Sequence, residues 1–203
     1  MTGLVRADVS HETSARFDEF ARLVRRWNTR INLVGRSTLS DLWRRHFSDS
    51  AQLYQLAPHP VAHWVDLGSG AGFPGLVIAI MAMETASPSR VTLIESDTRK
   101  VAFLRTVIRE TGAPATVICD RIEDLAPLDA EIVSARALAG LPELLGYAAR
   151  HMWPDGTALF PKGKNWRDEV AKAQRTWNFR CHVARSGTEE ESVVLKIRGL
   201  SCV

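Results

Sequence analysis

A glycine-rich segment at residues 65–75 constrains the fold of this chain more than any other part of its sequence. The segment reads VDLGSGAGFPG and stands between two apolar runs, residues 61–67 and 76–83. Glycine tolerates the positive φ angles of a tight turn and lets the backbone approach a ligand closely. Pro74 suits the first turn of a helix, where its missing N–H costs nothing. The order predicts a strand, a tight turn and a helix, which together open a nucleotide-binding βαβ unit.

Asp66, two residues before the first glycine, narrows the choice of nucleotide. A carboxylate beside a helix N-terminus would repel the pyrophosphate of a dinucleotide. S-adenosylmethionine has no phosphate, and its ammonium and sulfonium groups favour an acidic neighbour. The glycines from Gly70 onward do match the dinucleotide pattern GxGxxG, but in that register the first glycine comes four residues after Asp66, which is late for a strand end. We therefore expect S-adenosylmethionine as the methyl donor, with Asp66, Gly68 and Gly70 among its binding residues; a dinucleotide is the alternative.

Alternating strands and helices are predicted for the chain after residue 60. The predicted strands cover residues 61–67, 91–95, 115–119, 130–134 and 157–160, followed by a closing antiparallel pair at 179–184 and 192–198. The predicted helices cover residues 74–84, 97–112, 141–152 and 165–177. This order predicts an α/β fold: a Rossmann-like, class I S-adenosylmethionine-dependent methyltransferase sheet with helices on both faces. Its ligand is expected at the carboxyl ends of the strands.

The first part of the chain is predicted to be a small helical extension with a basic surface. We place this extension at residues 1–60 and the methyltransferase domain at residues 61–203, with helices predicted over 11–31 and 38–56. Seven arginines but only one acid, Asp41, lie between Arg22 and Arg45. Such a surface suits contacts to RNA phosphates.

Composition excludes several other classes of protein. No apolar run reaches the roughly 18 residues that a membrane span needs, and the N-terminus has no secretory signal. The cysteines are Cys119, Cys181 and Cys202, which are far apart and form no CxxC motif. Neither a disulfide framework nor a metal site is therefore expected. We expect a cytoplasmic protein that binds no membrane, and a monomer because nothing in the sequence demands a dimer.

Residues at the ends of the later strands are candidates for contacting the donor or the acceptor. Glu95 ends the second strand, where a carboxylate can accept hydrogen bonds from both ribose hydroxyls of a nucleoside. Ile122 follows the third strand, where an adenine would pack. Arg136 and Lys162 end the fourth and fifth strands. Either could contact the donor carboxylate, an acceptor phosphate or the O6 atom of guanine.

The sequence around Arg136 also limits which chemical group can accept the methyl group. The run Ser134-Ala135-Arg136 has no Asn/Asp-Pro-Pro-aromatic motif, which would hold an exocyclic amine, and no Pro-Cys pair, which would supply a nucleophile. The acceptor should then already be nucleophilic. Guanine N7 fits, because its lone pair lies free in the ring plane and carries no proton. Alignment of the reacting atoms would be enough, so we assign no residue as a catalytic base.

A second polar block lies within two helical turns of the predicted extension. Arg45, His46 and Asp49 belong to it, and the spacing of three would let His46 and Asp49 touch. The block could position the substrate together with the arginines of the first helix. A solvated polar face is the alternative interpretation.

These motifs resemble those of a known family, the bacterial small-subunit ribosomal RNA guanine-N7 methyltransferases, also called glucose-inhibited division protein B. The resemblance runs from Trp27 to Arg198 and rests on short motifs: WNxxIN at 27–32, RHxxDS at 45–50, the glycine segment, LIES at 93–96, KxxFL at 100–104, RIE at 121–123, SxR at 134–136 and PKG at 161–163. The family implies donor contacts at Gly68, Phe73, Glu95, Ile122, Glu123 and Arg136. It also implies 16S rRNA of the small ribosomal subunit as the partner and N7-methylguanosine as the product.

Two other functions share part of this pattern. A small-molecule methyltransferase would have the same donor features, but its N-terminal arm would usually be an apolar lid rather than a helix faced with arginines. A non-catalytic rRNA-binding assembly protein could retain a vestigial donor fold. The intact glycines and Asp66 argue against that second alternative.

Overall fold

The computed structural model of the chain describes residues 9–203. Its strands are β1 (His63–Leu67), β2 (Arg90–Ile94), β3 (Ala115–Ile118), β4 (Ala130–Ala135), β5 (Met152–Lys162), β6 (Trp177–Arg185) and β7 (Val193–Cys202). They form a sheet in the order β3-β2-β1-β4-β5-β7-β6. The first five strands pair in parallel, and β7 pairs antiparallel with both β5 and β6. The predicted α/β sheet and its closing antiparallel pair are confirmed.

The helices lie close to the predicted positions. They are α1 (His11–Trp27), α2 (Arg36–Leu39), α3 (Asp49–Leu56), α4 (Gly75–Thr85), α5 (Thr98–Thr111), α6 (Leu141–His151) and α7 (Trp166–Ala173). A π-helical segment, Trp43–Ser48, leads into α3, and a 3₁₀ turn covers Ile122–Asp124. The strand β1 is buried along its whole length, as is typical of a central strand in a sheet covered on both faces.

Three predicted helix boundaries differ from the structure. The first helix ends at Trp27 rather than residue 31, because the side-chain oxygen of Asn28 accepts hydrogen bonds from the backbone N–H groups of Leu33 and Val34, both at 2.9 Å, and turns the chain back. The helix predicted over 38–56 is divided between α2, the π-helical segment and α3. The last predicted helix stops at Ala173, since the chain from Trp177 pairs with β7.

The N-terminal helices share a hydrophobic core with the sheet domain. Phe20 of α1 stacks on Phe73 of the glycine segment, with ring centroids 4.9 Å apart, and also contacts Phe47 at 5.2 Å. Phe17 and Phe103 belong to the same buried cluster. The helices therefore hold the glycine segment in place. The division at residue 60 stays a prediction, and the first eight residues of the predicted extension lie outside the described residues.

Candidate functional site

A cavity of about 1020 Å³ opens at the carboxyl ends of the parallel strands. Its wall includes residues that follow each of these strands: 68–71 and Phe73, 94–96, 120–123, 136–139 and 161–163. The volume lies at the upper end of the roughly 300–1,000 Å³ that is typical of small-molecule sites. The cavity occupies the place where the sequence predicts the ligand.

The glycine loop between β1 and α4 needs its glycines for two separate reasons. Gly68 has a φ of +62°, and a Cβ atom there would lie 2.6 Å from Leu138 Cδ1. Gly75 begins α4 packed against β1 and β2, where a Cβ atom would lie 2.2 Å from Leu93 Cδ2 and 2.8 Å from Asp66 Oδ2. Both contacts are far too short. At Gly75 a Cβ atom would meet buried side chains that have no room to move, whereas at Gly68 any other residue would be strained by the positive φ and would have to displace the partly exposed Leu138.

Asp66 is fully buried beneath this loop and does not belong to the cavity wall. Its Oδ2 atom accepts a hydrogen bond from the Gly75 N–H at 3.2 Å, and its Oδ1 atom accepts one from the Ser134 hydroxyl at 2.7 Å. Ser134 Oγ in turn accepts a hydrogen bond from Trp64 Nε1 at 2.9 Å. Burial raises the pKa of Asp66 to about 6. Asp66 thus ties the glycine loop to β4, and Ser134 is its partner across the sheet.

Glu95 lies in the cavity wall, where its side chain holds the backbone at two places. One carboxylate oxygen accepts a hydrogen bond from the Gly70 N–H at 2.9 Å, and the other accepts one from the Asp97 N–H at 2.8 Å. Each oxygen keeps a lone pair for a further donor. The side chain is therefore held in position with two acceptor sites available, which is what binding of two ribose hydroxyls requires.

The 3₁₀ turn after β3 supplies the part of the wall predicted for adenine. Ile122 is buried, and its carbonyl accepts a hydrogen bond from His151 Nε2 at 2.9 Å. Glu123 also lines the cavity, and Arg121 Nε donates to its Oε1 atom at 2.7 Å. The apolar side chain of Ile122 and the charged side chain of Glu123 thus lie next to one another in the cavity wall.

Arg136 connects the end of β4 to the π-helical segment. Its guanidinium donates to the Arg45 carbonyl at 3.1 Å and to His46 Nδ1 at 2.7 Å, and it lies 3.6 Å from an Asp49 carboxylate oxygen. It also lies over the Phe73 ring, 5.2 Å from the centroid. No hydrogen bond joins His46 to Asp49 among the described residues; each contacts Arg136 instead. These residues line the cavity and are not a solvated polar face.

The tautomer of His46 follows from its neighbours. Arginine only donates, so Nδ1 must be the acceptor and Nε2 must carry the hydrogen. Nε2 therefore donates to Thr38 Oγ1, 3.0 Å away. Burial, with Arg136 and Arg45 nearby, lowers the pKa of His46 to about 3. The ring is neutral at physiological pH.

The loop between β6 and β7 completes the same edge of the cavity. Glu189 forms an ion pair with Arg45, and the Thr188 hydroxyl donates to Asp49 Oδ1 at 2.9 Å. Both Thr188 and Glu189 line the cavity. Sequence reasoning missed this pair, because nothing in the local sequence relates the loop to a segment about 140 residues earlier.

Lys162 lies at the end of β5, with its side chain 9% exposed. Its ammonium donates to the Ala139 carbonyl at 3.1 Å and to Glu169 Oε2 at 2.7 Å. Two of its three N–H bonds are thereby used, and one remains for a ligand. Residues 9–203 contain no group of three or more histidine, cysteine, aspartate or glutamate side chains that could hold a metal ion, and no described helix is long and apolar enough to cross a membrane.

The chain is similar over almost its whole length to proteins that are named rRNA small subunit methyltransferases. The sequence model of one family, described as "GidB: rRNA small subunit methyltransferase G", matches residues 13–194. A relative from Ruegeria pomeroyi called "Ribosomal RNA small subunit methyltransferase G" is 52% identical over 196 residues, which cover 97% of this chain and 96% of the relative. A relative of the same name from Ruegeria sp. (strain TM1040) is 47% identical over 201 residues, which cover 99% and 98% of the two chains.

Solved structures of methyltransferases have the same fold. One from Geobacter sulfurreducens matches with a TM-score of 0.62 at 16% identity, covering 97% of this chain and 93% of that one. A TehB-like S-adenosylmethionine-dependent methyltransferase from Corynebacterium glutamicum matches with a TM-score of 0.57 at 15% identity, covering 91% and 98%. Sheet order, cavity and sequence similarity agree, and the chain belongs to the GidB family of rRNA small subunit methyltransferases.

Proposed function

We propose that the chain transfers a methyl group from S-adenosylmethionine to N7 of a specific guanine in the 16S rRNA of the small ribosomal subunit. The observation that carries the proposal is the cavity at the strand ends, in which a tight glycine loop and the fixed carboxylate of Glu95 face the same space. Family membership over nearly the whole chain supports the RNA acceptor.

The cavity wall offers a separate place for each part of the donor. Glu95 would accept hydrogen bonds from the ribose hydroxyls, while Ile122 would pack on the adenine and the neighbouring Glu123 would line its edge. The backbone at Gly68 and Gly70 would lie against the methionine portion, next to the Phe73 ring. Asp66 would act indirectly, by holding the loop through Gly75. S-adenosylmethionine supplies an electrophilic methyl group on a positively charged sulfur.

The groups beside the glycine loop support an acceptor that needs no deprotonation. The lone pair of His46 Nδ1 accepts a hydrogen bond from Arg136, so the neutral ring has no free site for a proton. Asp49 is engaged by Thr188, Gln52 and Arg136. Guanine N7 attacks through an in-plane lone pair and loses no proton. The contribution of the protein is then to hold and orient the two reactants, which can lower a barrier by several kcal/mol.

Arg136, Lys162 and the Arg45–His46–Asp49 block are the candidates for positioning the guanine. Lys162 has an N–H bond available and points its ammonium at the cavity edge formed by Ala139. Arg136 is committed to three partners, so we assign it to holding the π-helical segment against β4, where it shapes the wall beside Phe73.

A direct test is methyl transfer to small subunits that lack the modification. Purified protein, radiolabelled S-adenosylmethionine and such subunits should give label in 16S rRNA, and digestion to nucleosides should release it as N7-methylguanosine. Gly68→Arg should abolish transfer, because the substitution strains a positive φ and collides with Leu138. Gly187→Ala, at a glycine with open space around it, is the matched control and should remain active.

The alternative functions predict different results in the same assay. A small-molecule methyltransferase would bind S-adenosylmethionine but leave RNA unlabelled. An rRNA-binding assembly protein would bind small subunits equally well with and without Gly68→Arg and would transfer no label. Either result would refute the proposal. We also propose that the protein acts as a cytoplasmic monomer, since its acceptor lies in the cytoplasm and nothing in the sequence demands a dimer; sedimentation at micromolar concentration would test the oligomeric state.

A further inference from the structure

The eight arginines between residues 16 and 45 fall into two groups in the structure. Four of them form ion pairs with nearby acids: Arg16 with Glu12, Arg22 with Glu19, Arg44 with Asp41 and Arg45 with Glu189. Four others are exposed, and no side-chain hydrogen bond or ion pair joins them to any residue in the described range 9–203. We call these four the unpaired group; its members are Arg25, Arg26, Arg30 and Arg36.

The unpaired group is carried by a fixed stretch of backbone that leads to the cavity. Arg25 and Arg26 occupy the last turn of α1, and the Arg30 N–H extends that turn by donating to the Trp27 carbonyl at 2.8 Å. The side chain of Asn28 then holds the backbone of Leu33 and Val34. Residues 33–35 line the cavity, and Arg36 follows them directly.

A different part of the cavity edge carries the opposite charge. Glu189 lines the cavity and already neutralises Arg45, while Glu190 and Glu191 are exposed beside it. A polyanion that approached from this side would meet carboxylates. Of these two parts of the cavity edge, the charges favour approach along the segment from Arg25 to Arg36.

We propose that the unpaired group is the docking surface for the sugar-phosphate backbone of the RNA strand that delivers the guanine. Arginine presents a planar fork of N–H donors that matches phosphate oxygens. A paired arginine must first give up its carboxylate, whereas an unpaired one only releases counterions from the RNA. The inference rests on the proposed function, because it assumes an RNA acceptor.

The test compares two double substitutions that remove the same net charge. Arg25→Gln/Arg26→Gln removes half of the unpaired group, and Arg22→Gln/Arg109→Gln removes two exposed arginines that are each paired with an acid, Glu19 and Glu110, and do not line the cavity. Binding to small subunits lacking the modification is measured with S-adenosylhomocysteine present, from about 50 to 300 mM salt. The plot of log affinity against log salt has a negative slope. Losing two phosphate contacts should make that slope less steep by about 1.4–1.8 and raise the dissociation constant roughly tenfold at 150 mM.

The control double variant should change the slope little, and both variants should keep the thermal stability and donor affinity of the parent protein. In methyl transfer, Arg25→Gln/Arg26→Gln should raise KM for the subunit with kcat unchanged. Equal losses in both double variants would mean that only net charge matters, and an unchanged slope in Arg25→Gln/Arg26→Gln would mean that RNA docks elsewhere; each outcome overturns the inference. If the parent protein itself transfers no label to rRNA, the proposed function fails first, so the two failures are distinguishable.

Discussion

Replacing Asp66 by asparagine should make the protein more stable than the parent at pH 8 but not at pH 4. Asp66 is fully buried, and burial raises its pKa from 3.8 to about 6. A carboxyl group with a raised pKa in the folded state contributes stability that is fully present below pH 3.8 and lost as the pH rises through about 6. Asparagine carries no charge at any of these pH values and so avoids that loss.

The expected change in the free energy of unfolding follows from the pKa shift of Asp66 and from its hydrogen bonds. A rise of about two pKa units corresponds to about 3 kcal/mol. The amide oxygen of asparagine can still accept from the Gly75 N–H, and its NH₂ group can face Ser134 Oγ. The Ser134 hydroxyl hydrogen then loses its acceptor, which costs about 1 kcal/mol at every pH. We therefore expect the variant to be about 2 kcal/mol more stable than the parent at pH 8.

Urea denaturation of both proteins at half-unit steps from pH 4 to pH 8 would measure the difference. It should rise by about 2.4 kcal/mol over this range, with its midpoint between the two pKa values. Asp97→Asn is the control, because Arg99 lowers the pKa of this exposed carboxyl group below its ordinary value of 3.8. Its contribution to stability is lost only as the pH falls below that value, so the difference between this variant and the parent should stay nearly constant from about pH 4 to pH 8. A difference for Asp66→Asn that stays constant with pH would refute the reasoning. Donor affinity should change little, since the contact to Gly75 is retained.

Three further predictions concern the same network. Gly75→Ala should cost about 1–3 kcal/mol of stability and weaken donor binding measured by calorimetry, because its Cβ atom would lie 2.2 Å from Leu93 Cδ2; unchanged binding would show that the loop can shift. Ser134→Ala should cost about 2–4 kcal/mol in urea denaturation, since it leaves Trp64 Nε1 without an acceptor and removes a donor to Asp66; an unchanged free energy of unfolding would contradict this network. Arg136→Met should raise the pKa of His46 from about 3 while burial keeps it below 6.5; NMR titration would check this, and an unmoved pKa would contradict the assigned contact.

Most of the fold could be predicted from the sequence because its signals are local. The apolar runs and the glycine segment determined β1 and α4 closely, and the alternation that follows places Glu95, Arg136 and Lys162 at strand ends. The carboxyl ends of parallel strands meet at one edge of a sheet, so these residues had to share a site. The roles of Asp66 and His46 were less accessible, since burial and hydrogen-bond partners depend on the whole packed structure.

The parts that sequence reasoning missed are those that depend on distant segments. Nothing near Asp49 indicates that Thr188 will donate to it. The charge count between Arg22 and Arg45 likewise could not separate paired from unpaired arginines, because one of the pairing acids, Glu189, lies at the other end of the chain. The π-helical segment also has no recognisable signal in the sequence, and it breaks what periodicity predicts as one continuous helix.

The contact between the β6–β7 loop and the segment around Arg45 bears on how the protein is made. The Arg44 side chain donates a hydrogen bond to the Thr188 carbonyl at 3.0 Å, although the two residues are 144 positions apart in the chain. A nascent polypeptide on its ribosome cannot close this edge of the cavity until the β6–β7 loop around Thr188 has been synthesised. The complete pocket should therefore form late in synthesis of this domain, and a product truncated before Thr188 would lack one wall of it.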